Sequence, residues 1–184
     1  MTLSNKGWIG FSRTPHSDAV FSGVITLDGR RFEGDPLGFG VQGHNCGYRH
    51  RNFWTWTHAY FPQLGRPAST LEALVYEMPF GLVFRKAVLW HDGSQLVFRD
   101  LKESGGSREA LRWKFRSESS GLRLEAEIDG SGPHLHRLPY LKTDCKGSFE
   151  VMNNSLASAR VVLESAAGRG QLETANGAVL EMVG

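Results

Sequence analysis

Apolar and polar residues alternate with a period of two along most of the chain, in short runs separated by glycine, proline, aspartate or serine. That is the pattern of strands with one face buried and one face wetter. Residues 19–27 form the first such run, and Asp28-Gly29 turns it into residues 30–33, because Asp-Gly readily supplies the two positive-φ positions of a tight hairpin. Gly34-Asp35-Pro36 closes this unit and leads into a stretch from 38 to 61 around which the rest is organised. Its first half is glycine-punctuated and reads as a polar loop holding His44 and Asn45. From Phe53 onward the residues are β-branched and aromatic, and alternation sets Trp54, Trp56, His58 and Tyr60 on one face and Phe53, Thr55, Thr57, Ala59 and Phe61 on the other.

The loop 62–67 carries two prolines and cannot be a strand interior. Residues 70–78, 82–90 and 95–101 are predicted strands, the last two joined at Asp92-Gly93 so that Leu89 faces Leu96 and Ala87 faces Phe98. Ser104-Gly105-Gly106-Ser107 reads as a turn. Residues 110–117 and 122–128 answer each other through Ser119-Ser120, which would place Lys114 opposite Glu125, Arg112 opposite Glu127, Phe115 opposite Leu124 and Trp113 opposite Ala126. Residues 134–139 read as irregular. Further on, 149–152 and 159–164 flank Asn153-Asn154-Ser155, and 171–174 and 178–183 flank Asn176-Gly177, a second strong hairpin signal. No segment longer than a few turns keeps a 3.6-residue period. The expectation is an all-β, antiparallel, meandering fold in a single domain over residues 1–184, a sandwich or a barrel.

Charge and composition narrow the function. Lys and Arg number 21 against 19 Asp and Glu, a formal net charge of +2, and the basic residues are scattered. A nucleic-acid partner is therefore not expected. Cys46 and Cys145, the two cysteines, are far apart in sequence, which argues against a zinc site or a Cys-x-x-Cys redox motif and suits a reduced, cytoplasmic setting. The first residues lack the basic and apolar regions of a signal peptide. No apolar run approaches the roughly 20 residues of a membrane-spanning helix, so no membrane span is expected.

Chemistry is sought next. His134 and His136 would share a face of a strand, but no Asp, Glu or Cys completes a ligand set nearby, and no metal or cofactor is expected. A face bearing Trp54, Trp56, His58 and Tyr60 suits the wall of a ligand cavity, since buried indole N–H and phenol O–H groups need partners. The alternative is an aromatic-rich structural strand. His44 is the candidate acid/base, because imidazole titrates nearest neutrality, with Asn45 to orient it. Alternatively, His44 and Asn45 fix the loop by hydrogen-bonding its backbone.

The run Gly38-Phe39-Gly40-Val41-Gln42-Gly43-His44-Asn45-Cys46-Gly47, followed by Trp54-Thr55-Trp56, resembles the signature of the lipocalin-like proteins that include carotenoid 1,2-hydratase (hydroxyneurosporene synthase), tocopherol cyclase and lipocalin-type Diels-Alderases. There the pattern is roughly Gly-x-Gly-Tyr-x-Asp-His-Asn-x-Gly with a following Trp-x-Trp. The closing stretch, residues 149–182, also reads like the final strands of such a barrel. The resemblance implies a lipocalin-like (calycin) β-barrel whose lumen takes an apolar polyene or prenyl-type molecule. Members commonly join two barrels with this motif opening the second, so a one-barrel chain implies a homodimer. Gly43 stands where the family has Asp, Val41 replaces an aromatic and Cys46 a Trp.

Three functions follow from these readings. The leading one is binding of a hydrophobic small molecule in the barrel, with Trp54, Trp56, His58 and Tyr60 lining the cavity and His44 and Asn45 near its mouth. The alternative is an enzyme of the hydratase, cyclase or isomerase kind using His44 and Asn45. The third is a structural β module filled by its own side chains. Protonating an alkene needs a positioned acid, usually a carboxyl, and Gly43 removes the family's own.

Overall fold

The computed structural model describes residues 2–3, 11–46, 53–142 and 145–184, with side chains at 14, 16–43, 53–78, 80–142 and 145–184. These residues are antiparallel strands joined by turns, with one 3₁₀ turn at Pro79–Gly81 and no α-helix among them. The chain gathers into two compact units, Met1–Tyr48 and Arg49–Gly184.

The first unit holds β1 (Thr2–Leu3), β2 (Phe11–Leu27) and β3 (Arg30–Cys46), ordered β1-β2-β3. The turn between β2 and β3 is the expected one, with φ of 50° at Asp28 and 75° at Gly29. β3 does not stop at Glu33. It runs through the stretch read as a loop, because β2 is equally long and offers it a ladder up to Phe11↔Cys46. Pro36 is accommodated where pairing lapses, between Gly23↔Gly34 and Phe21↔Gly38, so the missing N–H leaves no gap in the ladder.

The second unit is one sheet built from β4 (Trp54–Phe61), β5 (Ser69–Glu77), β6 (Val83–His91), β7 (Ser94–Phe98), β8 (Lys102–Ser107), β9 (Arg112–Ser119), β10 (Leu122–Asp129), β11 (His136–Leu141), β12 (Ser148–Ser165) and β13 (Gly168–Val183). The order is β7-β6-β5-β4-β13-β12-β10-β9-β8, with β11 also paired to β12. The β6–β7 hairpin has the expected register, Leu89↔Leu96 and Ala87↔Phe98.

Four local expectations are corrected. In the β9–β10 hairpin the turn is Ser120-Gly121, with φ of 51° and 76°, since glycine takes the second left-handed position more easily than serine. The register therefore moves by one pair on each face: Lys114 meets Glu127, Arg116 meets Glu125, Phe115 meets Ala126 and Trp113 meets Ile128. Residues 104–107 are part of β8, whose Gly106 backbone lies so near β9 that an added Cβ would be 2.4 Å from the Arg112 carbonyl oxygen. The segment read as irregular contributes β11, an edge strand that tolerates Pro139. Asn153-Asn154-Ser155 and Asn176-Gly177 are irregularities inside β12 and β13, and the turn joining those strands is at Ala166-Ala167.

The bulge in β12 is held by the buried Asn154, which donates from Nδ2 to the Gly130 carbonyl at 2.8 Å and accepts from the Leu156 amide at 2.8 Å. At Gly177 in β13 a Cβ would fall 2.4 Å from Thr174 Oγ1 and 2.7 Å from the Tyr60 carbonyl oxygen on β4. Backbone cannot give way as a flexible side chain can. Gly177→Ala is expected to cost more than about 1 kcal/mol, as overpacking does, visible as a lowered urea midpoint.

The face of this sheet bearing Ala59, Phe61, Leu71, Ala73, Val75, Ala87, Leu89, Phe98, Trp113, Phe115, Leu124, Ala126 and Leu180 packs one apolar core. At the open end of the β9–β10 hairpin, Arg112 Nε lies 3.0 Å from Asp129 Oδ2, and the Ser131 hydroxyl and amide donate to Asp129 Oδ1 at 2.6 and 2.9 Å. Burial alone would raise the Asp129 pKa, but Ser131 and Arg112 outweigh it and hold the carboxyl below its usual value. A depressed folded value stabilises the protein above the ordinary carboxylate pKa, and that contribution is lost as pH falls through the depressed one. Asp129→Asn should flatten the acid side of a stability-versus-pH curve measured by urea titration; an unchanged acid limb would contradict this.

Candidate functional site

Alternation does put Trp54, Trp56, His58 and Tyr60 on one face of β4, but it is the face opposite the apolar core. Ala59 and Phe61 belong to the core, and Thr55 and Thr57 are buried on the same side. Small alanines and threonines suit the tightly packed side, where Thr57 settles its hydroxyl on the Val179 carbonyl at 2.6 Å. The indoles go where acceptors are. The face read as the wall of a ligand cavity is thus distinct from the face that packs the apolar core.

The aromatic face is polar chemistry set among rings. Trp54 Nε1 donates to Glu181 Oε1 at 2.7 Å, and the other carboxylate oxygen accepts from the Tyr140 hydroxyl at 3.2 Å and from Asn153 Nδ2 at 3.5 Å. Four strands supply this group, β4, β11, β12 and β13, and pairing sets the positions: Glu181 is opposite Trp56 and Asn153, and Tyr140 is opposite Phe149. Trp54, Tyr140 and Phe149 lean on one another, with the Trp54 and Phe149 rings 5.7 Å apart edge to face and those of Tyr140 and Phe149 5.9 Å apart. Burial, together with the charge of Glu181 and the hydrogen bond to it, raises the Tyr140 pKa. Its phenol therefore keeps its proton at neutral pH.

One pair further along β4, Trp56 Nε1 donates to Glu72 Oε1 at 3.2 Å. Glu72 is 5% exposed and stands directly opposite His58, itself 4% exposed. Lys86 of β6 shares the face, opposite Leu74. Burial and Arg99 lower the Lys86 pKa, against a smaller opposing pull from Glu72. Two carboxylates, each gripped by an indole N–H, thus stand on one sheet face.

Among the sequence candidates, Trp54, Trp56 and His58 lie in this arrangement, and Tyr60 continues the same face. His44 and Asn45 are on β3, paired with Arg13 and Ser12, and their side chains fall outside the described residues. The residues that periodicity did not single out are Glu72, Glu181, Tyr140, Asn153, Phe149 and Lys86. A signal was there for two of them: Glu72 and Glu181 are single carboxylates inside otherwise apolar strands, LEALV and VLEMV. Such residues are rarely buried without a partner. Among the described residues no group of three or more His, Cys, Asp or Glu is arranged to hold a metal ion, and no helix is long and apolar enough to cross a membrane.

No protein-family model matches the chain. No curated protein matches it either. Among solved structures, the crystal structure of kievitone hydratase from Nectria haematococca matches with a TM-score of 0.54 at 14% identity, over 95% of this chain and 52% of that one. The chain spans about half the length of that hydratase. At this identity the likeness is one of fold.

Proposed function

We propose that this chain is an enzyme of the hydratase, cyclase or isomerase kind, moving protons on an apolar, unsaturated substrate at the face carrying Glu181 and Tyr140. The observation that carries the reading is the Tyr140–Glu181 hydrogen bond inside an aromatic surround. It joins a protonated phenol to a carboxylate, a donor and an acceptor in contact. The fold shared with a protein named a hydratase supports the same reading.

For hydration, a water O–H bond breaks toward Glu181 Oε1, which keeps one lone pair beyond that used by Trp54, while Oε2 accepts from Tyr140 and Asn153. The water oxygen bonds to one alkene carbon, the π pair moves to the other end of the unsaturated system, and the Tyr140 O–H supplies the proton there. The proton on Glu181 then returns to the phenolate along the existing hydrogen bond, and water has been added with both groups restored. The rings of Trp54 and Phe149 offer flat apolar surface to such a substrate. Sheet closure into a lipocalin-like barrel belongs to the same proposal, supported by the end strands of the sheet, β7 and β8, being consecutive and joined only by residues 99–101.

The test is incubation of the protein with kievitone, a linear carotenoid and a prenylated quinol, followed by chromatographic separation and mass. Product gaining one water, or an isomer of unchanged mass, above the protein-free control supports the enzyme. Quenched tryptophan emission with no product would instead favour the binding reading.

A further inference from the structure

We infer that β3 is the edge along which two copies of this chain pair, antiparallel, about a two-fold axis passing through Phe32. The inference is independent of the proposed chemistry. It starts from an exposed ribbon: among the described residues β3 is the last strand of its sheet, so its outer edge has no neighbour there. Unpaired edges template pairing with another chain. The end of the ribbon is also unusually apolar for a free surface, with Ile25, Leu27 and Phe32 54%, 63% and 44% exposed. Ile25 and Phe32 are opposite one another and Leu27 is opposite Arg30, so all three side chains stand on one face.

Backbone alternation selects which groups are on offer. The two-residue turn makes Leu27↔Arg30 the closing hydrogen-bonded pair, so the N–H and C=O of Arg31 and Glu33 point away from β2. A two-fold axis perpendicular to the sheet keeps each residue on its own face, which limits the registers to those centred on a residue. Charge then decides among them. Centred on Phe32, Arg31 meets Glu33 of the partner twice over, in pairs that exchange backbone bonds, and Phe32 meets its own copy at the shorter cross-strand spacing. Moving the axis to Arg31 or Glu33 sets a like charge against itself, and moving it to Gly34 sets Glu33 against Asp35. Among registers centred on residues 31 to 34, beside the apolar end, the Phe32 register alone is free of such clashes.

Within one copy Arg31 already reaches Glu33 at 2.8 Å, so pairing converts two local ion pairs into a ring of four alternating charges. The apolar face gains Phe32 against Phe32, flanked by Ile25 and Leu27 from both copies. The paired stretch is short because the turn at Asp28-Gly29 ends it, so the association is weak, with a dissociation constant on the order of micromolar.

Sedimentation of the whole chain from about 1 to 100 µM tests this. The wild type should pass from monomer toward dimer. Glu33→Arg and Arg31→Glu should each weaken self-association by about tenfold or more, since both symmetry-related pairs become repulsive. Mixing the two variants should restore a mixed dimer, and the double exchange Arg31→Glu/Glu33→Arg should restore self-association. These positions are exposed, so the variants remain folded, as circular dichroism would check. A wild type that stays monomeric, or a dimer indifferent to the single variants, overturns the inference. So does a monomer that sediments with phosphatidylcholine vesicles, since the apolar end would then serve a lipid surface.

Discussion

Glu181→Gln is expected, on the proposed proton chemistry, to lower turnover of an unsaturated substrate by about 10²- to 10⁴-fold, the usual contribution of a positioned acid or base. The amide keeps the size of the carboxylate and can still accept from Trp54 Nε1, which sits 2.7 Å from Oε1 in the native chain. What it loses is the ability to take a proton from water. Tyr140→Phe removes the other half of the pair, leaving the rings of Trp54 and Phe149 in place, and should reduce turnover by a comparable factor with little change in KM. If the two groups exchange one proton as proposed, the double variant should be scarcely slower than either single one. Thermal unfolding of each variant separates a lost reaction from a lost fold. If both variants retain turnover within about twofold of the wild type, at any pH, the chemistry lies elsewhere on the molecule.

The largest effect on stability is expected at Phe115. Its side chain is fully buried, its ring centroid lies 4.5 Å from that of Trp113, and its strand neighbours are Ala126 on β10 and Glu103 on β8. Neither alanine nor a backbone held in a ladder on both sides can close over the space a lost ring leaves. Phe115→Ala should therefore cost about 3 to 5 kcal/mol, a large share of the roughly 5 to 15 kcal/mol that holds a typical domain folded. Phe115→Leu retains most of the volume and should cost less. Equilibrium urea unfolding reads the difference as a shifted midpoint at constant slope. A loss below about 1 kcal/mol for the alanine variant would mean that the core rearranges around this position.

How much of this was legible in the sequence depends on the range over which the deciding forces act. Strand periodicity and tight turns are local, so the alternation from Phe53 to Phe61, the Asp28-Gly29 turn and the β6–β7 register could be read directly. Where two turn chemistries competed, as between Ser119-Ser120 and Ser120-Gly121, the chain took the one whose second left-handed position is glycine. Interruptions in a long ladder misled in the other direction. Asn153-Asn154-Ser155 and Asn176-Gly177 have the composition of turns, yet the residues flanking them are laddered, Asn154 to Leu180 and Ala157 to Ala178 between β12 and β13 and Ala178 to Ala59 of β4. The chain therefore runs straight on, and Asn154 absorbs the irregularity with its side chain.

The sequence by itself determined that β4 has one face of Trp54, Trp56, His58 and Tyr60 and another of Phe53, Thr55, Thr57, Ala59 and Phe61. Which of the two meets the core was decided only by tertiary structure, because it depends on what the neighbouring strands bring. β5, β6 and β13 contribute alanine, leucine and valine on one side, and Glu72 and Glu181 on the other. The indole N–H groups of Trp54 and Trp56 follow the carboxylates, and Thr55 and Thr57 follow the alanines. The meeting of Glu181 with Tyr140, 41 residues away, lies in no local pattern. It exists because β11 and β13 both pair with β12, and pairing across strands is set by ladders that close only when the whole sheet has formed.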